Sequence, residues 1–123
     1  DETMRLWNTA TGELLLVEPK EPIGFSPDGR LLAFADGSEL GVMDVLHGGA
    51  AFTLYGHVTK GPRAISMNGT EGQLASGGTD GAILWNLAEG RKTAELDAGN
   101  VRDLYLLGND ELITCGDRGL LHW

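Results

Sequence analysis

Thr79-Asp80-Gly81-Ala82-Ile83-Leu84-Trp85-Asn86 is a phrase that this chain repeats with variation. Related versions are Asp1-Glu2-Thr3-Met4-Arg5-Leu6-Trp7-Asn8, Asp36-Gly37-Ser38-Glu39-Leu40-Gly41-Val42-Met43-Asp44 and Asp117-Arg118-Gly119-Leu120-Leu121-His122-Trp123. Successive closing residues Trp7, Met43, Trp85 and Trp123 stand 36, 42 and 38 positions apart. A self-similar period of about forty residues predicts an array of supersecondary units, each burying its apolar face on the next.

Within each period the apolar runs are short and end at Gly, Asp or Asn, which is the punctuation of strands and hairpins. Around the quoted phrase the strands read as Phe52-Thr53-Leu54-Tyr55, Ala64-Ile65-Ser66-Met67, Gln73-Leu74-Ala75-Ser76 and Ala82-Ile83-Leu84-Trp85, joined as an antiparallel meander. Asp28-Gly29, Asn68-Gly69, Asp80-Gly81 and Gly108-Asn109-Asp110 supply the turn residues that tolerate positive φ. The unbroken apolar run Leu31-Leu32-Ala33-Phe34-Ala35 reads as a strand covered on both faces. One four-stranded sheet is too small to bury both faces, so twisted sheets stacked about an axis are expected. The expected fold is all-β, a propeller segment, and the hairpin turns argue against a parallel β-helix. The units span 13–44, 52–86 and 92–123, with 1–7 as the third strand of a preceding unit.

Composition narrows the function. With 19 glycines among 123 residues and 41% hydrophobic side chains, the chain reads as a turn-rich globular body. Its apolar runs, such as Leu14-Leu15-Leu16-Val17, are far too short for a membrane-spanning helix. The net charge is −9 and the acids are scattered through the turns, with no Lys/Arg cluster interleaved with aromatics. Nucleic acid and anionic membranes are therefore excluded as expected partners, and proteins with basic surfaces are favoured. The single Cys115 lies in Leu112-Ile113-Thr114-Cys115 and is expected to pack as a small buried hydrophobe.

Gly56-His57, Leu74-Ala75-Ser76-Gly77-Gly78-Thr79-Asp80-Gly81 and Leu84-Trp85-Asn86 together resemble one WD repeat, and Phe25-Ser26-Pro27-Asp28-Gly29-Arg30-Leu31-Leu32-Ala33 is similar to the first hairpin of that family. The resemblance implies a buried hydrogen-bonded set of His57, Ser76, Asp80 and Trp85 that locks a blade. Such a set mimics a Ser/His/Asp nucleophilic triad. The structural reading is preferred because no Gly-x-Ser-x-Gly nucleophile elbow occurs. The first unit has Glu18-Pro19-Lys20-Glu21 and the third Ala98-Gly99-Asn100 where Gly-His would stand, so the outer units are expected to be locked less firmly. Asp1, Asp36 and Asp80 precede their closing residues by six, seven and five positions. A shorter turn at Gly81 and a bulge or longer loop near 38–41 are expected to absorb the difference, with Met43 filling a Trp slot.

No other residue carries chemistry. His47 falls in a turn and His122 lacks a partner at ligand spacing, so no metal and no cofactor is expected. Asn68-Gly69-Thr70 matches a glycosylation acceptor and reads as a hairpin turn. Lys60, Arg63 and Arg102, on loops leading into axial strands, are the candidate partner contacts. Propellers of the resembled family close with about seven blades, against about three here. The remaining blades are expected from a longer chain, or, as the lesser reading, from other copies. The expected function is a non-enzymatic protein-interaction scaffold within a larger assembly, intracellular and cytoplasmic. The alternative is a microtubule-associated propeller protein, to which the Ser-Gly-Gly-x-Asp-Gly stretch at 76–81 is distantly similar.

Overall fold

The computed structural model describes residues 3–45, 51–58, 61–68, 72–108 and 111–123, without the side chains of 51 and 52. The readings placed on Asp1, His47, Lys60, Gly69, Thr70, Asn109 and Asp110 lie outside the described residues. Thirteen strands follow in chain order: β1 Met4–Trp7, β2 Leu14–Glu18, β3 Glu21–Phe25, β4 Leu31–Asp36, β5 Glu39–Asp44, β6 Ala51–Leu54 and β7 Ala64–Asn68. They continue with β8 Gln73–Gly78, β9 Gly81–Asn86, β10 Arg91–Leu96, β11 Val101–Leu106, β12 Leu112–Gly116 and β13 Gly119–His122.

All pairings are antiparallel and give four sheets: β1-β2, β3-β4-β5-β6, β7-β8-β9-β10 and β11-β12-β13. The sheets run out of phase with the sequence units, which corrects the expected meander. Strand β6, read as the first strand of the unit 52–86, pairs with β5 and closes the sheet before it. Each four-stranded sheet thus borrows its outermost strand from the next unit, which ties neighbouring units by main-chain hydrogen bonds as well as by packing.

The central hairpins show no expected bulge. Strands β4 and β5 pair without a break from Leu31↔Asp44 to Asp36↔Glu39, and β8 and β9 from Gln73↔Asn86 to Gly78↔Gly81. Both turns hold two residues, Gly37-Ser38 and Thr79-Asp80. Asp36 therefore lies before its turn and Asp80 within it, and the uneven Asp spacing reflects different positions instead of different turn lengths. Register breaks occur only in the flanking pairings, leaving Leu15 and Thr93 extra on outer strands and Ile23 and Arg102 extra on inner ones. Central strands covered on both faces keep an unbroken ladder, whereas flanking strands have room to bulge. The expected positive φ appears at Gly29 (71°) and Gly81 (112°). At Gly81 a side chain is barred twice, since a Cβ would also come within 2.4 Å of the Leu96 carbonyl oxygen.

Packing is layered between sheets. Met4, Leu32, Phe34 and Met43 fill the space between β1-β2 and the next sheet. Ala33, Leu40, Val42 and Leu54 meet Leu74, Ile83 and Trp85 across the second interface. Ala75 and Ala82 meet Val101, Leu104 and Leu112 across the third. The alternation of β4, in which Leu32 and Phe34 point one way and Ala33 the other, is the double coverage read from its unbroken apolar run. Small residues set the spacing: a Cβ on Gly77 would stand 2.5 Å from Val101 Cγ1. Cys115 departs from its expectation and is exposed. Leu112 and Thr114 take the covered face of β12, and the two-residue period turns Cys115 to the other face, which no described sheet covers.

Candidate functional site

The antiparallel order places the loops before β3, β7 and β11 and the turns β4-β5, β8-β9 and β12-β13 at one end of the sheets. At that end the chain between β6 and β7 lays His57 against the Thr79-Asp80 turn. His57 Nδ1 lies 2.7 Å from Asp80 Oδ1, and His57 Nε2 lies 2.7 Å from Ser76 Oγ. The Trp85 indole N–H donates to the same Ser76 Oγ at 2.8 Å. Asp80 Oδ2 accepts the Val58 N–H at 2.7 Å.

This connectivity assigns the protons. Ionised Asp80 only accepts, so His57 carries a proton on Nδ1, and in the neutral imidazole the Ser76 hydroxyl donates to Nε2 while accepting from Trp85. Burial is the largest influence on Asp80 and raises its pKa, but the hydrogen bonds from His57 and Val58 together outweigh it and hold the carboxyl below its ordinary value. Ser76, Trp85 and His57 are 0%, 2% and 6% exposed. Two glycines admit the set: a Cβ at Gly56 would stand 2.6 Å from Trp85 Cη2, and one at Gly78 3.2 Å from Asp80 Oδ1.

The order Ser-His-Asp is that of a nucleophilic triad, and the geometry disables it as one. A nucleophile must reach a carbonyl carbon with a free lone pair. The Ser76 oxygen is sealed from solvent and already accepts from an indole.

The neighbouring sheets fill the same positions with other chemistry. Counting from the second turn residue aligns them: Ser38, Asp80 and Arg118 each precede Met43, Trp85 and Trp123 by five positions. The place of Ser76 is then held by Phe34 and by Thr114. In the first case Phe34 lies against Gly41, where a Cβ would stand 2.1 Å from the ring. Lys20, in the loop equivalent to that of His57, sits 4.7 Å above the Phe34 ring centroid and 3.8 Å from Asp36 Oδ2. In the last sheet the Trp123 indole N–H donates to Thr114 Oγ1 at 3.0 Å, and Asp117 Oδ1 accepts the Asn100 N–H at 3.0 Å. The outer units thus carry ties of their own. Sequence reading missed them because it aligned the units on Asp instead of on the turn.

Of the candidate contacts, Arg63 is exposed immediately before β7, where its N–H donates 2.8 Å to the Gly77 carbonyl. Arg102 is the extra residue of the β11 bulge and is likewise exposed. Lys60 lies outside the described residues. The structure does not gather the two arginines with the His57 set into one site. It adds two apolar neighbours instead: Tyr55 and Val58, flanking Gly56-His57, are 71% and 81% exposed. His122, read as lacking a partner, faces Glu111 Oε1 at 3.2 Å. No group of three metal-ligating side chains occurs among the described residues.

Stacked antiparallel sheets, with β7 beside both β3 and β11 and the outermost strand borrowed across units, define a segment of a β-propeller fold. The chain is similar in structure to U3-55K, with a TM-score of 0.81 at 23% identity, and to the crystal structure of the RRP9 WD40 repeats, with 0.81 at 21%. Both alignments cover all of this chain and 42% of the other, so the chain spans less than half the length of these relatives. No protein-family model and no curated protein sequence matches it. In all, 384 solved chains match, and a fold so widely shared decides architecture without deciding task.

Proposed function

We propose that the chain is a non-enzymatic scaffold that presents propeller surface to other proteins, inside the cell and as part of a larger assembly. The observation that carries this reading is the sealed Ser76: the triad-like set at the loop end is consumed by internal hydrogen bonds, and what that end exposes is contact surface. Tyr55, Val58 and Arg63 are among the exposed groups there, and aromatic and arginine side chains on rigid scaffolds are the usual anchors of interfaces. The net charge of −9 favours partners that bring basic patches. Exposed Cys115, a thiol with no second cysteine, suits a reducing compartment.

The test is cross-linking of the chain to its cellular partners, with Tyr55→Ser, Val58→Ser and Arg63→Glu compared against the parent. The side chains are exposed, so melting should be unchanged while the yield of specific cross-links falls. Undiminished cross-linking in the triple variant would remove this surface from the scaffold reading. Turnover of an ester or peptide substrate that is abolished by Ser76→Ala in a folded protein would overturn the non-enzymatic assignment.

A further inference from the structure

At the end opposite the His57 set, a cleft of about 500 Å³ opens between the sheets β3-β6 and β7-β10. Its floor is apolar. Leu31 and Leu87 are half-buried there against the core cluster to which Met67 belongs. Its charged rim comes from the β3-β4 loop and the end of β5. Arg30 Nε lies 3.0 Å from Asp44 Oδ2, so the one cation among the described residues of the rim is spoken for. Asp28 is held in place: the Ser26 hydroxyl donates to its Oδ1 at 2.6 Å and the Arg30 N–H at 3.1 Å, both to the same oxygen. Those bonds, the serine first, hold the carboxyl below its ordinary value, so it is ionised at neutral pH.

A rigid apolar floor beside a fixed, exposed carboxylate, with the nearest cation neutralised, complements one class of ligand: an apolar side chain followed or preceded by Lys or Arg. We propose that this cleft docks a basic-apolar peptide segment of a protein partner, the apolar anchor on Leu31, Met67 and Leu87 and the cation on Asp28. The proposal rests on the scaffold reading and assigns that scaffold a second contact surface, remote from Tyr55 and Val58. An acidic segment is disfavoured by Asp28 and Asp44, and a purely apolar one leaves Asp28 unused.

The test uses fluorescence anisotropy of a fluorescein-labelled, glycine-flanked Lys-Leu-Lys peptide titrated with the whole chain, beside its Glu-Leu-Glu counterpart. Saturable binding of the basic peptide alone is expected. Ala88→Arg, an exposed turn residue lining the cleft, adds bulk and positive charge without touching the core, and Asp28→Asn removes the carboxylate charge. Each should weaken binding by about tenfold, as loss of an interfacial anchor or charge pair does. Circular dichroism checks that Ala88→Arg stays folded, so the test survives if Asp28→Asn disturbs its turn. Absence of basic-peptide binding, equal binding of the acidic peptide, or unchanged affinity in Ala88→Arg each overturns the proposal. If the peptide fails while cross-linking through Tyr55 and Val58 persists, the cleft falls and the scaffold stands. If both fail, both readings fall.

Discussion

The sheets β3-β6 and β7-β10 share one backbone plan and hold their equivalent positions by opposite means. In β7-β10 the position is polar: Ser76, His57, Asp80 and Trp85 form a chain in which each hydrogen bond aligns the next. In β3-β6 it is apolar: Phe34 packs into the space left by Gly41, Met43 stands where Trp85 would, and Lys20 covers the ring from the rim. The register of the central hairpins is the same in both. The fold therefore asks for volume and satisfied polar groups at this place, not for a particular set of residues. A buried polar chain is specific and fails together, since each lost partner orphans another. An apolar plug has no orphaned groups and should degrade gradually.

The largest effect expected from this contrast is at the closing residue. Trp85→Ala removes a 2%-exposed indole and the donor to Ser76, and should cost about 3–5 kcal/mol. Met43→Leu, at the matching position, conserves volume and breaks no hydrogen bond, so its cost should stay under about 1.5 kcal/mol. Urea unfolding of both variants measures the two. Comparable losses would mean that the sheets are not held differently.

Next in size is His57→Ala, which takes the imidazole from Ser76 Oγ and from Asp80 Oδ1 while leaving the Trp85 bond to Ser76 and the Val58 bond to Asp80 Oδ2, at about 1–3 kcal/mol for each group that loses its imidazole partner. Its signature is in the pH profile. The folded Asp80 pKa is depressed, so its contribution to stability is present above the unfolded pKa and is lost as pH falls through the lower folded one. In His57→Ala that acid limb should flatten. A parent and variant that lose stability in parallel between pH 5 and pH 2 would show that the pair does not hold the carboxylate (window of about 5 to 2 from the ordinary carboxylate range).

Much of this was legible in the chain. The recurring phrase, the strand-length runs and the turn glycines lead to stacked antiparallel sheets, and the resemblance to a WD repeat implies the set His57, Ser76, Asp80 and Trp85, four residues that the structure joins in one chain of hydrogen bonds. Three things escaped, each for a physical reason. Strand β6 has a sequence-adjacent strand on either side, β5 before it and β7 after it, and its short apolar run is the same whichever of the two it pairs with. Exposure of Cys115 depends on which face of β12 is covered, and an apolar run looks alike on both. The Lys20-Phe34-Gly41 arrangement uses residues with no motif, and its only trace is a glycine opposite an aromatic once the units are aligned on the turn.

That glycine gives a sharper probe. Gly41→Ala places a methyl where the Phe34 ring now lies, 2.1 Å from Cε2, and overpacking of this kind costs about 1–3 kcal/mol. Phe34→Ser with Gly41→Ile copies the pairing of Ser76 with Ile83 into the other sheet. Lacking a histidine to take the hydroxyl, that double variant should be less stable than the parent, and adding Lys20→His should recover part of the loss. A thermal melt of the three proteins decides it, and recovery without the histidine would show that the hydroxyl needs no partner there.

The smallest effect tests the rim. Lys20→Met keeps an alkyl chain over Phe34 and removes the charge, so only the cation-π contact and the ion pair with Asp36 are lost. At a partly exposed site this is worth about 0.5–1 kcal/mol. Salt separates it from the buried chain, because exposed charges are screened within a Debye length of about 10 Å at 0.1 M while buried pairs are screened far less. The stability gap between Lys20→Met and the parent should therefore narrow as salt rises, whereas the gap for His57→Ala should hold. If both gaps narrow together, the His57-Asp80 pair is as open to solvent as Lys20, and the two sheets differ in residues without differing in kind.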